Sequence, residues 1–255
     1  MVHLVFLFSV LCFYKIIIKL FKSNAIAYLA CAILVISPRI YADSFYNSKD
    51  LVFLSIYIIA FYTFILFFEK YTYKTLFLLA LTSAIATNIR ILGILLVFFT
   101  IINLLLDKFS NKINWKQWLK YSLIYLFSFS VILYITWPYL WNSPWRHLIT
   151  VFENMKHFRW QGEVLFYGKM INATNLPWYY LFTWIGITTP VLYLLFFVFG
   201  IFFLVYYLIK NLNKIIKNTK ERNLYIAFSI VLIPVLSVII QKSVLYDGWR
   251  HMFFI

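Results

Sequence analysis

Charge is what this sequence has least of. Of 255 residues only 12% are Asp, Glu, Lys or Arg, and just 8 are acidic against 23 basic. A soluble domain is near half apolar and about a quarter charged. Here 64% of the chain is apolar, with 28 Phe, 20 Tyr and 9 Trp. That leaves too little polar surface to cover a water-soluble globule. Glycine and proline are also scarce, six of each, which excludes long flexible linkers. The two cysteines, Cys12 and Cys31, lie inside apolar runs with no polar ligand nearby. They read as buried spectators rather than a disulfide or a metal pair. The opening MVHLVFLFSVLCFY has neither a basic start nor a small-residue cleavage site, so it is not a cleavable signal. The net charge of +15 does not point to nucleic acid. The lysines and arginines sit between apolar runs, where they set orientation in a membrane and touch anionic lipid.

What is present is a series of apolar runs. A hydrocarbon core of about 30 Å needs about 20 apolar residues per helix. The runs have that order of length and lack the alternation of a barrel strand. The fold class is therefore all-α: a polytopic membrane bundle of about eight hydrophobic helices, forming one transmembrane domain over 1–255. The segments are 2–20, 24–38, 50–68, 75–88, 91–106, 118–136, 178–208 and 224–241. Pro190 divides the seventh into a short surface helix and the span proper. Joined as one helix, 75–106 would be roughly 48 Å long, too long for one span. A tilted or re-entrant pair turning at Asn88 and Arg90 fits better.

The positive-inside rule then orients the chain. KNLNKIIKNTKERN, with Lys210, Lys214, Lys217, Lys220 and Arg222 against Glu221, marks the cytoplasmic side most strongly. Counting back, DKFSNKINWKQWLK, Glu69–Lys74 and Lys15–Lys22 are inside. Ser37–Asp50, Arg90, the loop 137–177 and the last residues from Lys242 are outside. That outer loop is expected to be an interfacial helical insertion.

Four polar features thus share one face. SPRIYADSFYNSKD carries Arg39, Asp43, Lys49 and Asp50 between two apolar segments. Asp50 can be a plain helix cap, and the cations can simply snorkel to headgroups. Cations on the disfavoured side argue for more: an anionic headgroup held beside an acid or base. Arg90, in TNIRILGIL, lies between two apolar segments, where a charge is costly and defaults to function. The loop 137–177 holds Trp137, Trp141, Trp145 and Trp160, with Trp178 just beyond, together with Arg146, His147, Glu153, His157, Arg159, Glu163 and Lys169. An aromatic belt explains the tryptophans, and the polar residues fit a lid over a sugar or lipid site. The histidines lack metal-ligand spacing. Asp247, Arg250 and His251, in VLYDGWRHMFFI, are the last candidates. No metal ligand set is expected, and no cofactor beyond an optional divalent cation.

SPRIYADSFYNSKDLVFL resembles a segment of the bacterial membrane glycosyltransferases of the GT-C class, relatives of the protein O-mannosyltransferases and of the lipid A aminoarabinose transferase. TNIRILGILL, NLPWYYLFTWIGITTP and LYDGWRHMFFI resemble further segments in the same order, and Ser48 stands where the family pattern has proline. The resemblance implies a multi-span enzyme of the inner membrane acting on the extracytoplasmic face. It would move a sugar from a polyprenyl-phosphate carrier to a protein, lipid or glycan. Lys49, Arg90 and Arg39 would hold the lipid phosphate, and Asp50 is the acidic member of the pattern. Asp43 has no counterpart, and Arg250 and His251 would face the same cavity. A carboxylate would activate the acceptor hydroxyl while cations, or a bound divalent ion, neutralise the departing phosphate. The family has one more span and an acidic outer loop before the first segment here. The chain is therefore expected to be an internal piece without its main catalytic base or its later spans, and inactive alone. The competing class is a non-catalytic transporter or lipid-handling protein, which would carry charge in mid-span; here charge gathers at segment ends.

Overall fold

The apolar runs become helices because a chain in lipid must satisfy its own backbone groups. A computed structural model describes residues 1–156, 162–216 and 218–240, with the side chains of 155 and 156 left aside. Within them the protein is an all-α polytopic bundle of eleven α-helices, with one small β-hairpin.

α1 (Val2–Phe21) ends where Lys22 turns left-handed, and Ser23 caps α2 (Asn24–Ile36) by accepting the Ile26 N–H at 3.3 Å. Pro38 cannot continue α2. It starts α3 (Pro38–Tyr46), bent 64° from α2. This short helix is new relative to the sequence reading, which held 37–50 as a polar connection. α4 (Asp50–Lys70) ends at a left-handed Tyr71, and Thr72 caps α5 (Tyr73–Ile89). Arg90 is extended, and one turn of 3₁₀ helix over Ile91–Gly93 leads into α6 (Ile94–Phe109). The expected pair turning at Asn88 and Arg90 is therefore two helices broken at that point. α7 (Trp115–Thr136) opens with a capping box: Asn114 accepts the Gln117 N–H at 2.8 Å, and Gln117 returns the bond at 3.0 Å.

The loop from 137 onward contains α8 (Pro144–Lys156) and then a hairpin absent from the sequence reading, β1 (Glu163–Phe166) with β2 (Lys169–Asn172). Pro190 separates α9 (Tyr180–Thr188) from α10 (Val191–Lys210), as expected, and α11 (Thr219–Ile240) follows. Among the described residues six helices are long and apolar enough to cross a membrane: α1, α4, α6 with its 3₁₀ turn, α7, α10 and α11. The bent α2–α3 pair makes a seventh if counted as one span, and α5 is shorter, at 17 residues.

α5 sits between α4 and α7, and α1 packs on the other side of α4. Helices in lipid gain little hydrophobic energy from meeting, so close packing and hydrogen bonds decide which faces pair. α5 offers small buried residues, Ala80, Ser83, Ala84, Ala86 and Thr87. Thr63 and Thr82 bond across α4 and α5 at 3.0 Å, and the Tyr125 hydroxyl donates to Ser83 at 3.1 Å. Each such bond contributes about 0.6 kcal/mol. α10 is the opposite case, with 6% of its span buried against 61% for α4.

Candidate functional site

Hydrogen bonds and ion pairs sort the helix ends into two groups. At one end, Arg90 after α5 pairs with Asp50 at the start of α4. The Asn88 amide donates to the Thr136 carbonyl at 2.7 Å, and Tyr193 at the start of α10 donates to the Ile33 carbonyl at 3.1 Å. His3 meets Ser44 of α3 at 2.9 Å and stacks on Phe45. At the other end, Lys19 pairs with Glu69 at 2.5 Å and Arg222 with Asp107 at 2.6 Å. The grouping places 37–50, Arg90 and the start of the long loop together, and the lysine-rich loops together.

The Asp50 end is built by local chemistry. Asn47 stands three residues before Asp50, and its side-chain oxygen accepts the Asp50 N–H at 2.9 Å and the Lys49 N–H at 3.3 Å. Its amide donates to the second oxygen of Asp50 at 3.3 Å. Asparagine just ahead of a helix start is a turn signal, its side chain accepting backbone N–H groups two and three residues on, and reading it would have found Asn47. The carboxylate also sits at a helix N-terminus, where the dipole favours it. Asp50 is buried, Arg90 is half-buried and Lys49 is exposed beside them.

Arg90 is delivered by a tight turn. A Cβ placed on Gly93 would lie 2.4 Å from the Thr87 amide nitrogen and 2.5 Å from the Ala86 carbonyl carbon. Only glycine lets the 3₁₀ turn that follows Arg90 fold back onto the last turn of α5.

The remaining candidates separate. Arg39 lies half-buried in the first turn of α3. Asp43 is buried on the same helix, and its carboxylate has no hydrogen bond or ion pair among the described residues. His147 on α8 contacts the Tyr139 carbonyl through Nδ1 and stacks on that ring. Glu163 and Lys169 are exposed on the hairpin. Asp247, Arg250 and His251, with His157 and Arg159, lie outside the described residues. Among the described residues no group of three His, Cys, Asp or Glu side chains could hold a metal ion.

A sealed polar cluster sits at the lysine-rich end, away from every candidate named from the sequence. Asp107, at the end of α6, is bound by Arg222 of α11, by the Tyr71 hydroxyl and by Lys112 at 3.6 Å. Lys112 also donates to Thr219 at 2.6 Å, and Tyr207 to Glu221 at 2.9 Å. Burial, reinforced by the bond to Asp107, pushes the Tyr71 phenol up. Burial pushes the Lys112 ammonium down, against the pull of Asp107. Partners 115 residues apart leave no spacing signal in a sequence.

A family model described as dolichyl-phosphate-mannose-protein mannosyltransferase matches residues 1–141. The chain belongs to this family. The mannosyltransferase match runs from α1 through α7 and takes in Arg39, Asp43, Lys49, Asp50 and Arg90 together. It also includes Asp107, while Arg222, the hairpin and α9 to α11 lie beyond it. Neither the curated proteins nor the solved structures include a match to the chain. Family membership makes this a membrane glycosyltransferase-type protein, in agreement with the resemblance drawn from its motifs.

Proposed function

We propose that the protein takes a sugar from a polyprenyl-phosphate carrier and passes it to a protein, lipid or glycan acceptor at the extracytoplasmic face of the plasma membrane. The Asp50 end would be the outward one. The observation that carries this reading is the Asp50–Arg90 pair, with Lys49 beside it, lying wholly inside the segment that matches the mannosyltransferase family. The lysine-rich loops at the opposite end support the orientation.

In the reaction proposed, the acceptor hydroxyl attacks the anomeric carbon as its bond to the phosphate oxygen breaks. The hydroxyl proton passes to a carboxylate, and the polyprenyl phosphate leaves with its charge on oxygen. Arg90, Lys49 and Arg39 would hold that phosphate in charge-assisted contacts. Asp50 is engaged by Arg90 and Asn47, so it is suited to holding the guanidinium rather than to taking a proton. Asp43, buried on α3, is a carboxylate of this end that could take it.

Binding tests the reading directly. The purified chain in nanodiscs should bind polyprenyl-phosphate mannose, with polyprenyl phosphate as competitor. Arg90→Ala or Lys49→Ala should weaken binding about ten- to a hundredfold, as loss of a charge-assisted hydrogen bond does. Binding that neither change alters would remove this end from the donor site.

A further inference from the structure

The long loop ends in a hairpin whose two faces differ. Cross-strand pairing sets Leu165 opposite Met170, and Val164 and Phe166 opposite Ile171 and Lys169. Leu165 and Met170 therefore share one face with Glu163 and Asn172, and Val164, Phe166, Lys169 and Ile171 lie on the other. Phe166 is buried, its ring 5.0 Å from that of Tyr180 and 6.0 Å from that of Tyr179. This contact fixes the second face against α9. The first face is bare: Leu165 is 62% exposed, Met170 59%, and Tyr167 at the tip 75%. The turn itself is stiff, with Tyr167 and Gly168 both left-handed (φ 50° and 73°), the form that matches the twist of a two-residue hairpin.

The bare patch does not stop at the hairpin. Trp178, Phe182 and Ile187 are exposed along the chain that follows. Past Pro190 that chain becomes α10, a 20-residue apolar helix with Phe196, Phe197, Phe199, Phe202 and Phe203 all facing outward. Among the described residues α10, a candidate span, is almost free of protein neighbours, which fits an apolar surface facing acyl chains. The patch on the hairpin is continuous in sequence with that lipid-facing surface and lies between α7 and α10 at the Asp50 end. Its chemistry is that of the bilayer boundary. Tyr and Trp prefer the headgroup level, Leu and Met the carbons below it, and a lysine ammonium, here the exposed Lys169, the phosphates. In water the same exposed two-stranded edge would be an association hazard.

We propose that the β1–β2 hairpin inserts its Leu165–Met170 face and Tyr167 tip into the lipid headgroup region at the Asp50 end, with Lys169 reaching phosphate level from the opposite face and Glu163, farthest from the tip, kept in water. The partner is the bilayer itself rather than a protein. This does not depend on which ligand the Asp50–Arg90 pair holds.

The test is depth-resolved spin labelling of the full chain in vesicles of phosphatidylethanolamine and phosphatidylglycerol. Cys12→Ala and Cys31→Ala remove both native thiols, and Leu165→Cys, Met170→Cys or Phe202→Cys supplies a single site. All three positions are exposed, so the labels displace no core side chain. The label at 202 serves as the lipid-facing reference. Labels at 165 and 170 should collide with molecular oxygen several-fold more than with a water-soluble nickel chelate, approaching the ratio at 202. Free collision with the chelate would show a hairpin standing in water and overturn the proposal. Low collision with both reagents would show a face covered by protein and would overturn it equally.

Discussion

Two arginine–aspartate pairs stand at opposite ends of this bundle, and they differ in how far water can follow them. At one end Asp107 and Arg222 are 0% and 1% exposed, and Tyr71 and Lys112 complete the shell of the carboxylate. At the other, Asp50 is also buried, but Arg90 keeps 17% of its side chain exposed, with the exposed Lys49 beside the pair. The sealed pair joins a residue inside the family match to one beyond it; the open pair lies wholly within the match. In a low-dielectric interior a charge is tolerable only when fully paired, so a sealed pair is spent on structure. A half-open one retains a cation that an incoming anion can reach. On the proposed function, the sealed pair is scaffold and the open pair belongs to the donor site.

The sharpest way to break the contrast is at the sealed end. Arg222→Met leaves Asp107 as a buried, poorly compensated charge and should cost about 3–5 kcal/mol. Thermal unfolding in detergent would read the loss. The double change Arg222→Met with Asp107→Asn should recover most of it, since an uncharged pair of similar volume needs no counter-ion. A double variant as unstable as the single one would mean that the ion pair itself, rather than the orphaned carboxylate, sets the stability.

Gly93→Ala should follow, at about 1–3 kcal/mol, because the added methyl meets backbone at Ala86–Thr87 and backbone cannot turn aside. Its second consequence belongs to the open end. Displacing the 3₁₀ turn should displace Arg90 and weaken donor-phosphate binding together with stability. Stability loss with binding intact would show that Arg90 finds Asp50 without help from the turn.

Within the open end, Arg90→Ala and Lys49→Ala should part company in stability while agreeing in binding. Arg90→Ala strips a buried carboxylate of its charge partner, at about 1–3 kcal/mol, with Asn47 remaining to bind it. Lys49 is exposed, and its loss should stay within about 0.5 kcal/mol. Equal stability losses would dissolve the distinction between a cation buried against a carboxylate and one at the surface.

How much of this could be read in advance follows from range. The spans were legible because a 20-residue apolar run has one use. The break at Arg90 was legible because a charge interrupts two such runs. The grouping of 37–50 with Arg90 followed from charge parity alone. α3 was not legible: PRIYADSFY is polar for a span, and its helix is set by Pro38 at the first position and by packing on α1, α2 and α4. The hairpin was hidden because Tyr167-Gly168 is a weaker turn signal than Asn-Gly. The Asp107 cluster was hidden for another reason. Lysines count toward orientation in a positive-inside reading whether or not they also bind, and the acid they surround looks like one more loop residue.

The smallest effect expected is a pH dependence at the sealed end. Lys112 lies between α6 and α7, and burial, with Arg222 nearby, holds its ammonium below the ordinary lysine value. The unfolded chain then keeps this proton over a pH range where the folded chain has lost it. Stability rises with pH wherever the unfolded state binds more protons. The contribution of Lys112 is therefore unfavourable below its folded pKa and fades as pH climbs toward the ordinary value of 10.5. Lys112→Met should remove that slope and leave Arg222 to neutralise Asp107 alone. Unfolding midpoints of the two chains, compared from neutral to alkaline pH, should converge as pH rises, the variant being the more stable at the neutral end. Should the variant instead be the weaker at neutral pH, the 3.6 Å contact with Asp107 outweighs the burial of the ammonium. The sealed cluster would then rest on three partners of comparable weight rather than on Arg222.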